Sequence, residues 1–294
     1  MLNKNQIESY DRNGYLAIEN VLTVAELEEL RRVTDKFVEK SRNVASNDKI
    51  FDLEPGHSAA SPSIRRIKHP VSRHPVYAGY TRHVPILDIV ECLLGADFRY
   101  HNNKLNMKNR GDGSAVEWHQ DWAFYPHTND DLLEVGIALD DMTVENGALM
   151  LIPGSHKGKT WNHHQNGMFV GGITDPTFRP DGAVSVTVKA GGITLHHVRM
   201  IHGSRPNRSD KSRRMLFIGF CAMNAWPLVP SGDTLEDLNE RIVRGKPTLE
   251  PRLKDLPVRL SLPRVEGDSI YEQQEKLHNA LLSRTEPYPV SSSN

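Results

Sequence analysis

The sequence has almost no cysteine. Cys92 and Cys221 are the two present in 294 residues, far apart and without a Cys-x-x-Cys spacing. A disulfide scaffold and a thiolate-rich zinc site are thereby excluded, and a reducing compartment, the cytoplasm, is expected. No apolar run approaches the roughly 18 residues that cross a bilayer, and the start, MLNKNQIESYDRNGY, lacks the apolar core of a secretion signal. Neither sign of charge is in excess: 36 Lys+Arg stand against 37 Asp+Glu. That balance removes the basic footprint of a nucleic-acid binder and the composition of a disordered polyelectrolyte. Neither a membrane nor a nucleic acid is expected as a partner. Internal repeats are absent, and low complexity is confined to Ser291-Ser292-Ser293.

What the chain does have is histidine, 14 in all, with several between His101 and His202. The surrounding pattern is helical first and extended later. Gly14 ends an opening helix, and Tyr15–Ile18 reads as a short strand. Thr23 and Glu26 form a capping box before a helix whose apolar face is Val24, Leu27, Leu30, Val33 and Phe37. Residues 47–82, punctuated by Pro55, Pro62, Pro70 and Pro75, are expected to be irregular. A helix from Pro85 to Leu94 should stop at Gly95. Strands are expected at 98–108, 134–139, 148–152, 184–188, 193–198 and 215–222, with glycine-rich turns between them. Helices near 235–243 and 270–282 are expected in the tail. The whole reads as one domain of three parts: a helical part at about 1–95, a β core at about 96–225, and a tail at about 226–294. The tail should pack on the core or on a second copy in a homodimer. Helices followed by many short strands predict a barrel or sandwich braced by helices on one side.

The informative segment is Trp118-His119-Gln120-Asp121-Trp122. On a strand, residues two apart share a face, so His119 and Asp121 should project together. They would form two-thirds of a two-histidine, one-carboxylate set, which leaves three adjacent sites of an octahedral Fe(II) open. The third member is sought among His196, His197 and His202. Eleven residues beyond His202 stands Arg213, whose planar fork suits a carboxylate better than a lysine's point charge. If dioxygen is activated with electrons from 2-oxoglutarate, Arg213 supplies the cation for its far carboxylate. Alternation along residues 215–220 does not decide whether Arg213 or Arg214 faces inward. His156 reads as closing a turn and His163-His164 as part of a polar connector. One of His196 and His197 should face the core.

Together these residues resemble the phytanoyl-CoA dioxygenase family of Fe(II)- and 2-oxoglutarate-dependent oxygenases. The likeness runs over about residues 6–222. It includes Arg12-Asn13-Gly14-Tyr15-Leu16, Leu93-Leu94-Gly95, Asn106-x-Lys108, Trp118-His119-Gln120-Asp121, Glu145-Asn146-Gly147-Ala148-Leu149, Pro153-Gly154-Ser155-His156 and the block from His202 to Arg213. The resemblance implies a double-stranded β-helix, or jelly roll, that is mainly β with flanking helices. It implies His119, Asp121 and His202 as iron ligands and Arg213 as the partner of the distal carboxylate of 2-oxoglutarate. Asn106 and Ser204 match positions that contact this cosubstrate. With Asp121 in place of Ala or Gly, it implies oxygen insertion and not halogenation.

The expected activity is oxidation of a small-molecule substrate at an unactivated C–H bond, with Fe(II), 2-oxoglutarate and O2, releasing succinate and CO2. Trp122, Phe124 and Tyr125 either line the substrate pocket or pack beside it. Arg65, Arg66, Lys68 and Arg73 either meet an anionic substrate or stay in solvent. The competing readings are a cupin-like zinc hydrolase or isomerase, which has no need of Arg213, and a barrel that binds a ligand without chemistry.

Overall fold

Asn3 and Thr23 open the first two helices with the same device. Each side-chain oxygen accepts the N–H three residues on, from Gln6 and Glu26, whose side chains reach back to the cap N–H. In the computed structural model, which describes residues 1–111, 113–230, 232–264 and 269–283, α1 (Lys4–Asn13) ends at Gly14, held at φ +80°. β1 (Tyr15–Ile18) follows, then α2 (Val24–Ser41), which buries Leu30, Val33 and Phe37.

The next stretch departs from the irregular segment expected. β2 (Phe51–Leu53) and β3 (Ile64–Lys68) pair antiparallel, and α3 (Pro75–Tyr80) precedes α4 (Val84–Leu94). The prolines do not interrupt these elements. Pro55 and Pro62 lie in the connection, and Pro75 opens α3, where its missing N–H costs nothing. β3 is disguised because three of its five residues are cations, yet Ile64 and Ile67 are wholly buried against the helices.

The remaining elements are β4 (Phe98–Lys108), β5 (Val116–Gln120), β6 (Leu132–Ala138), β7 (Leu149–Leu151), β8 (His164–Gln165), β9 (Met168–Phe169), β10 (Val184–Val186), β11 (Ile193–His197), β12 (Ile201–Ser204), β13 (Arg213–Ala222), α5 (Leu235–Glu240), β14 (Ile242–Arg244) and α6 (Ile270–Gln274). Among the described residues, one sheet runs β1-β11-β6-β13-β4-β3-β2 with β14 on β4, and a second runs β10-β7-β12-β5. All of these pairings are antiparallel. The larger sheet is mainly β, helix-covered on one face and open to the smaller sheet on the other, which is the jelly roll.

Strand alternation divides the work. Leu105, Ile137 and Leu216 point toward the helices and join Leu30, Phe37 and Tyr77 in the main core. Burial of each such side chain stabilises the fold by roughly 1.5–3 kcal/mol. The neighbours on the other face of β4, Lys104, Asn106 and Lys108, line the space between the sheets.

The tail also differs from expectation. α5 stops at Glu240 and buries none of its residues, while Ile242–Arg244 forms an edge strand on β4. α6 is a short helix, with an irregular segment after it. What fixes this end is buried Glu117 on β5. Its carboxylate accepts the backbone N–H groups of Leu281, Leu282 and Ser283 at 2.7, 2.8 and 2.7 Å. Cys92 and Cys221 are free thiols. Among the described residues no helix is long and apolar enough to cross a membrane.

Candidate active site

His119 and His202 face each other across the β5–β12 ladder as register partners, with ring centres 4.1 Å apart. β5 ends at Gln120. Asp121 therefore reaches the site from a 3-10 turn, not from the strand on which it was expected. Its oxygens lie 3.7 Å from His119 Nε2 and 3.8 Å from His202 Nε2. Ligand atoms from all three residues lie within 4.8 Å of one another.

The backbone sets the tautomers. The Nδ1–H groups of His119 and His202 donate to the carbonyls of Glu117 (2.8 Å) and Met200 (3.0 Å), leaving each Nε2 lone pair aimed inward. Burial lowers the His119 pKa to about 4 and holds His202 well below its usual value, so both stay neutral. Burial alone would raise the carboxyl of Asp121. Lys104, His202 and the hydrogen bond from His196 outweigh it and hold Asp121 well below the ordinary range. Two neutral imidazoles and one carboxylate, converging and desolvated, fit a divalent iron ion.

His196 is the histidine of its pair that faces the interior. It is 1% exposed, and its Nε2 donates to Asp121 Oδ2 at 3.3 Å. It supports the carboxylate and stands outside the His119–Asp121–His202 set. His156 bonds the carbonyl of Asp11, and His163 accepts the N–H of Gln120, both away from the convergent atoms.

Arg213 resolves the choice between the two arginines. Arg214 turns outward to Asp140 and Asp35. Arg213 turns inward, is 3% exposed, and donates to the sulfurs of Met142 (3.0 Å) and Met215 (3.9 Å). Among the described residues no ion pair reaches it. Burial lowers its pKa to about 10. A desolvated guanidinium whose hydrogen bonds among the described residues go to thioethers alone fits an incoming carboxylate.

Asn106 and Ser204 line the same cavity, as do Phe124 and Tyr125; Phe124 packs edge-on to His119. Trp122 does not line it. The 3-10 turn rotates it into a cluster with Leu132, Val198 and Cys221, and its indole N–H donates to the Pro257 carbonyl. The cavity encloses about 790 Å³. Arg66 and Lys68 line it while paired with buried Asp52 at 3.9 and 2.8 Å, and Arg65 is paired with Glu54. Lys104, which sequence reasoning missed, stands 4.0 Å from Asp121 and 3.9 Å from the buried carboxylate of Glu134. The alternation of Lys104, Asn106 and Lys108 with Leu105 and Met107 was the signal for it.

On a jelly roll, this donor set beside an unpaired buried arginine defines the class: the Fe(II)- and 2-oxoglutarate-dependent dioxygenases. The comparisons agree and narrow it. Residues 10–215 match the phytanoyl-CoA dioxygenase (PhyH) family, and the chain belongs to that family. A probable alpha-ketoglutarate-dependent hypophosphite dioxygenase of Stutzerimonas stutzeri is 37% identical over 284 residues, 94% of this chain and 98% of that protein. An L-proline trans-4-hydroxylase of Streptomyces griseoviridis is 29% identical over 246 residues, 75% of this chain and 87% of its own. The solved structure of EctD from S. alaskensis with bound Fe shares the fold at TM-score 0.64 and 24% identity, over 85% of this chain and 89% of that one. The protein is thus an enzyme that uses Fe(II), 2-oxoglutarate and O2, and the zinc hydrolase and the inert barrel are set aside.

Proposed function

We propose that His119, Asp121 and His202 hold the iron. Arg213, with Ser204 and Asn106 beside it, binds the distal carboxylate of 2-oxoglutarate, and the enzyme oxidises a small anion in the cytoplasm. The observation that carries this reading is Arg213 itself, a buried cation with no counter-ion among the described residues, on the wall of the cavity that holds the triad. Fe(II) with 2-oxoglutarate and O2 supplies the oxidant when bound, releasing succinate and CO2.

The chain's residues do the rest. The Glu117 and Met200 carbonyls fix the two imidazoles, His196 steadies Asp121, and Phe124 covers His119. The anionic substrate is supported by the cavity's charge. Arg66, Lys68, Arg73 and Lys104 line it, against Asp121 and Asp233 among the described acidic residues of the lining, with buried Asp52 paired to Arg66 and Lys68 and buried Glu134 to Lys104. The Stutzerimonas relative, named for a phosphorus oxyanion, points the same way. At about 790 Å³ the cavity is near the top of the roughly 300–1,000 Å³ range of small-molecule sites, which leaves room for 2-oxoglutarate and an organic skeleton. The bond attacked is then from hydrogen to carbon, or to phosphorus in the simplest anions.

The test is succinate formation with a panel of anions (hypophosphite, alkyl phosphonates, short carboxylates) against neutral and cationic isosteres. The expected result is stimulation by anions alone. Stimulation by neutral or cationic compounds at equal concentration would reject the anionic substrate.

A further inference from the structure

The family match ends at residue 215, yet residues 270–283 reach the cavity and are docked by buried polar and small residues. Besides the three N–H groups held by Glu117, the side chain of Gln274 accepts the Glu117 N–H at 2.9 Å. It donates to the carbonyls of Glu117 (3.3 Å) and Gly171 (2.8 Å). The Glu117 carbonyl is the one that orients His119. Two glycines make the room. A Cβ on Gly172 would stand 2.7 Å from Leu277, and one on Gly203, between His202 and Ser204, 2.7 Å from Leu282.

This docking brings in Tyr271. The residue is 5% exposed and lines the cavity, packed with Val116, Ile270 and Phe124; Val116 is the strand partner of Ser204. The guanidinium carbons of Arg65 and Arg66 lie 5.2 and 5.6 Å from its ring centre, so the phenol is held from one side by cations. Among the described residues its hydroxyl has no hydrogen-bond partner. The hydroxyl is not sealed off with the buried unpaired polar atoms, and the residue shares its cavity with Arg213 and Ser204. Burial raises the Tyr271 pKa to about 12, so the phenol keeps its proton and can donate it in a hydrogen bond.

We infer that Tyr271 is a further binding residue for 2-oxoglutarate, donating its hydroxyl to the distal carboxylate, and that residues 270–283 are a built-in cover over that end of the cavity. The inference rests on the reading of Arg213 as the carboxylate's partner.

The test is calorimetric titration of the full-length protein with Mn(II) in place of iron, so that no turnover intervenes. Two keto acids are compared: 2-oxoglutarate, and 2-oxobutyrate, which keeps the chelating end and lacks the far carboxylate. Tyr271→Phe removes only the hydroxyl. It should weaken 2-oxoglutarate about tenfold and leave 2-oxobutyrate unchanged. An equal loss for both keto acids, or no loss for 2-oxoglutarate, overturns the inference. Arg213→Ala in parallel separates the two levels. If it erases the preference for 2-oxoglutarate while Tyr271→Phe does not, Tyr271 is excluded and Arg213 stands. If neither variant moves the preference, the Arg213 reading fails as well.

Discussion

Replacing Arg213 by Met should stabilise the ligand-free protein and, in the same step, remove its response to 2-oxoglutarate. Burial lowers the guanidinium pKa to about 10, so the fold disfavours the charged form, a penalty on the order of 3 kcal/mol at most. With the folded value below the unfolded one, that penalty is carried in full at all pH values below about 10. Met keeps an apolar stem against Met142 and Met215 while deleting the charge. A gain of about 1 kcal/mol, allowing for relaxation, raises Tm by roughly 2–4 °C.

The ligand reverses the order. Loss of a desolvated charge pair costs about 3 kcal/mol, or roughly a hundredfold in Kd. At a concentration of 100 times the parent Kd, 2-oxoglutarate stabilises the parent by about 2.7 kcal/mol and the variant by only about 0.4 kcal/mol. Thermal unfolding followed by circular dichroism, with Mn(II) and with or without 2-oxoglutarate, reads both effects. A variant that melts lower than the parent without ligand, and gains as much from 2-oxoglutarate, would refute the assignment of Arg213 as an uncompensated cation awaiting a carboxylate.

Metal analysis after anaerobic loading should show iron near one equivalent in the parent and in His156→Ala, and at least tenfold less in His119→Ala and His202→Ala; iron retained by either of the latter two would disqualify that ligand. Acid should destabilise the fold early, because His127 and His163 are buried with pKa values lowered to about 4 and about 3. The unfolded chain takes up protons from about pH 6.5 downward that the folded chain refuses, so each such histidine lowers the urea-unfolding free energy by up to about 1.4 kcal/mol per pH unit between roughly 6 and 4, and His101, His119, His197 and His202 add to the effect. His163→Gln, able to keep the bonds to Gln120 and Trp161, should make the slope shallower by that one-histidine share, and an unchanged slope would clear His163.

The triad was legible because its chemistry is written in residue types at short range: His119 and Asp121 lie two apart, and His202 precedes Arg213 by eleven. The orientation of the arginines was not, since two adjacent arginines carry no pattern. Only Asp140 and Asp35, brought up by the fold, distinguish the outward one. Trp122 was a candidate because it directly follows the His119–Asp121 pair, whereas its ring packs in a separate cluster with Leu132, Val198 and Cys221. Lys104 was readable from alternation along β4 and went unread. Tyr271 had no local signal at all: its position is set by a carboxylate on β5, far away in sequence.

That distance has a consequence for biosynthesis. Leu281 is 164 residues downstream of Glu117, so the jelly roll can close and gather its two histidines and aspartate while their cover is still being translated. Until residues 270–283 have been made, the buried carboxylate of Glu117 lacks the three N–H groups that satisfy it and the cavity lacks the wall that Tyr271 supplies.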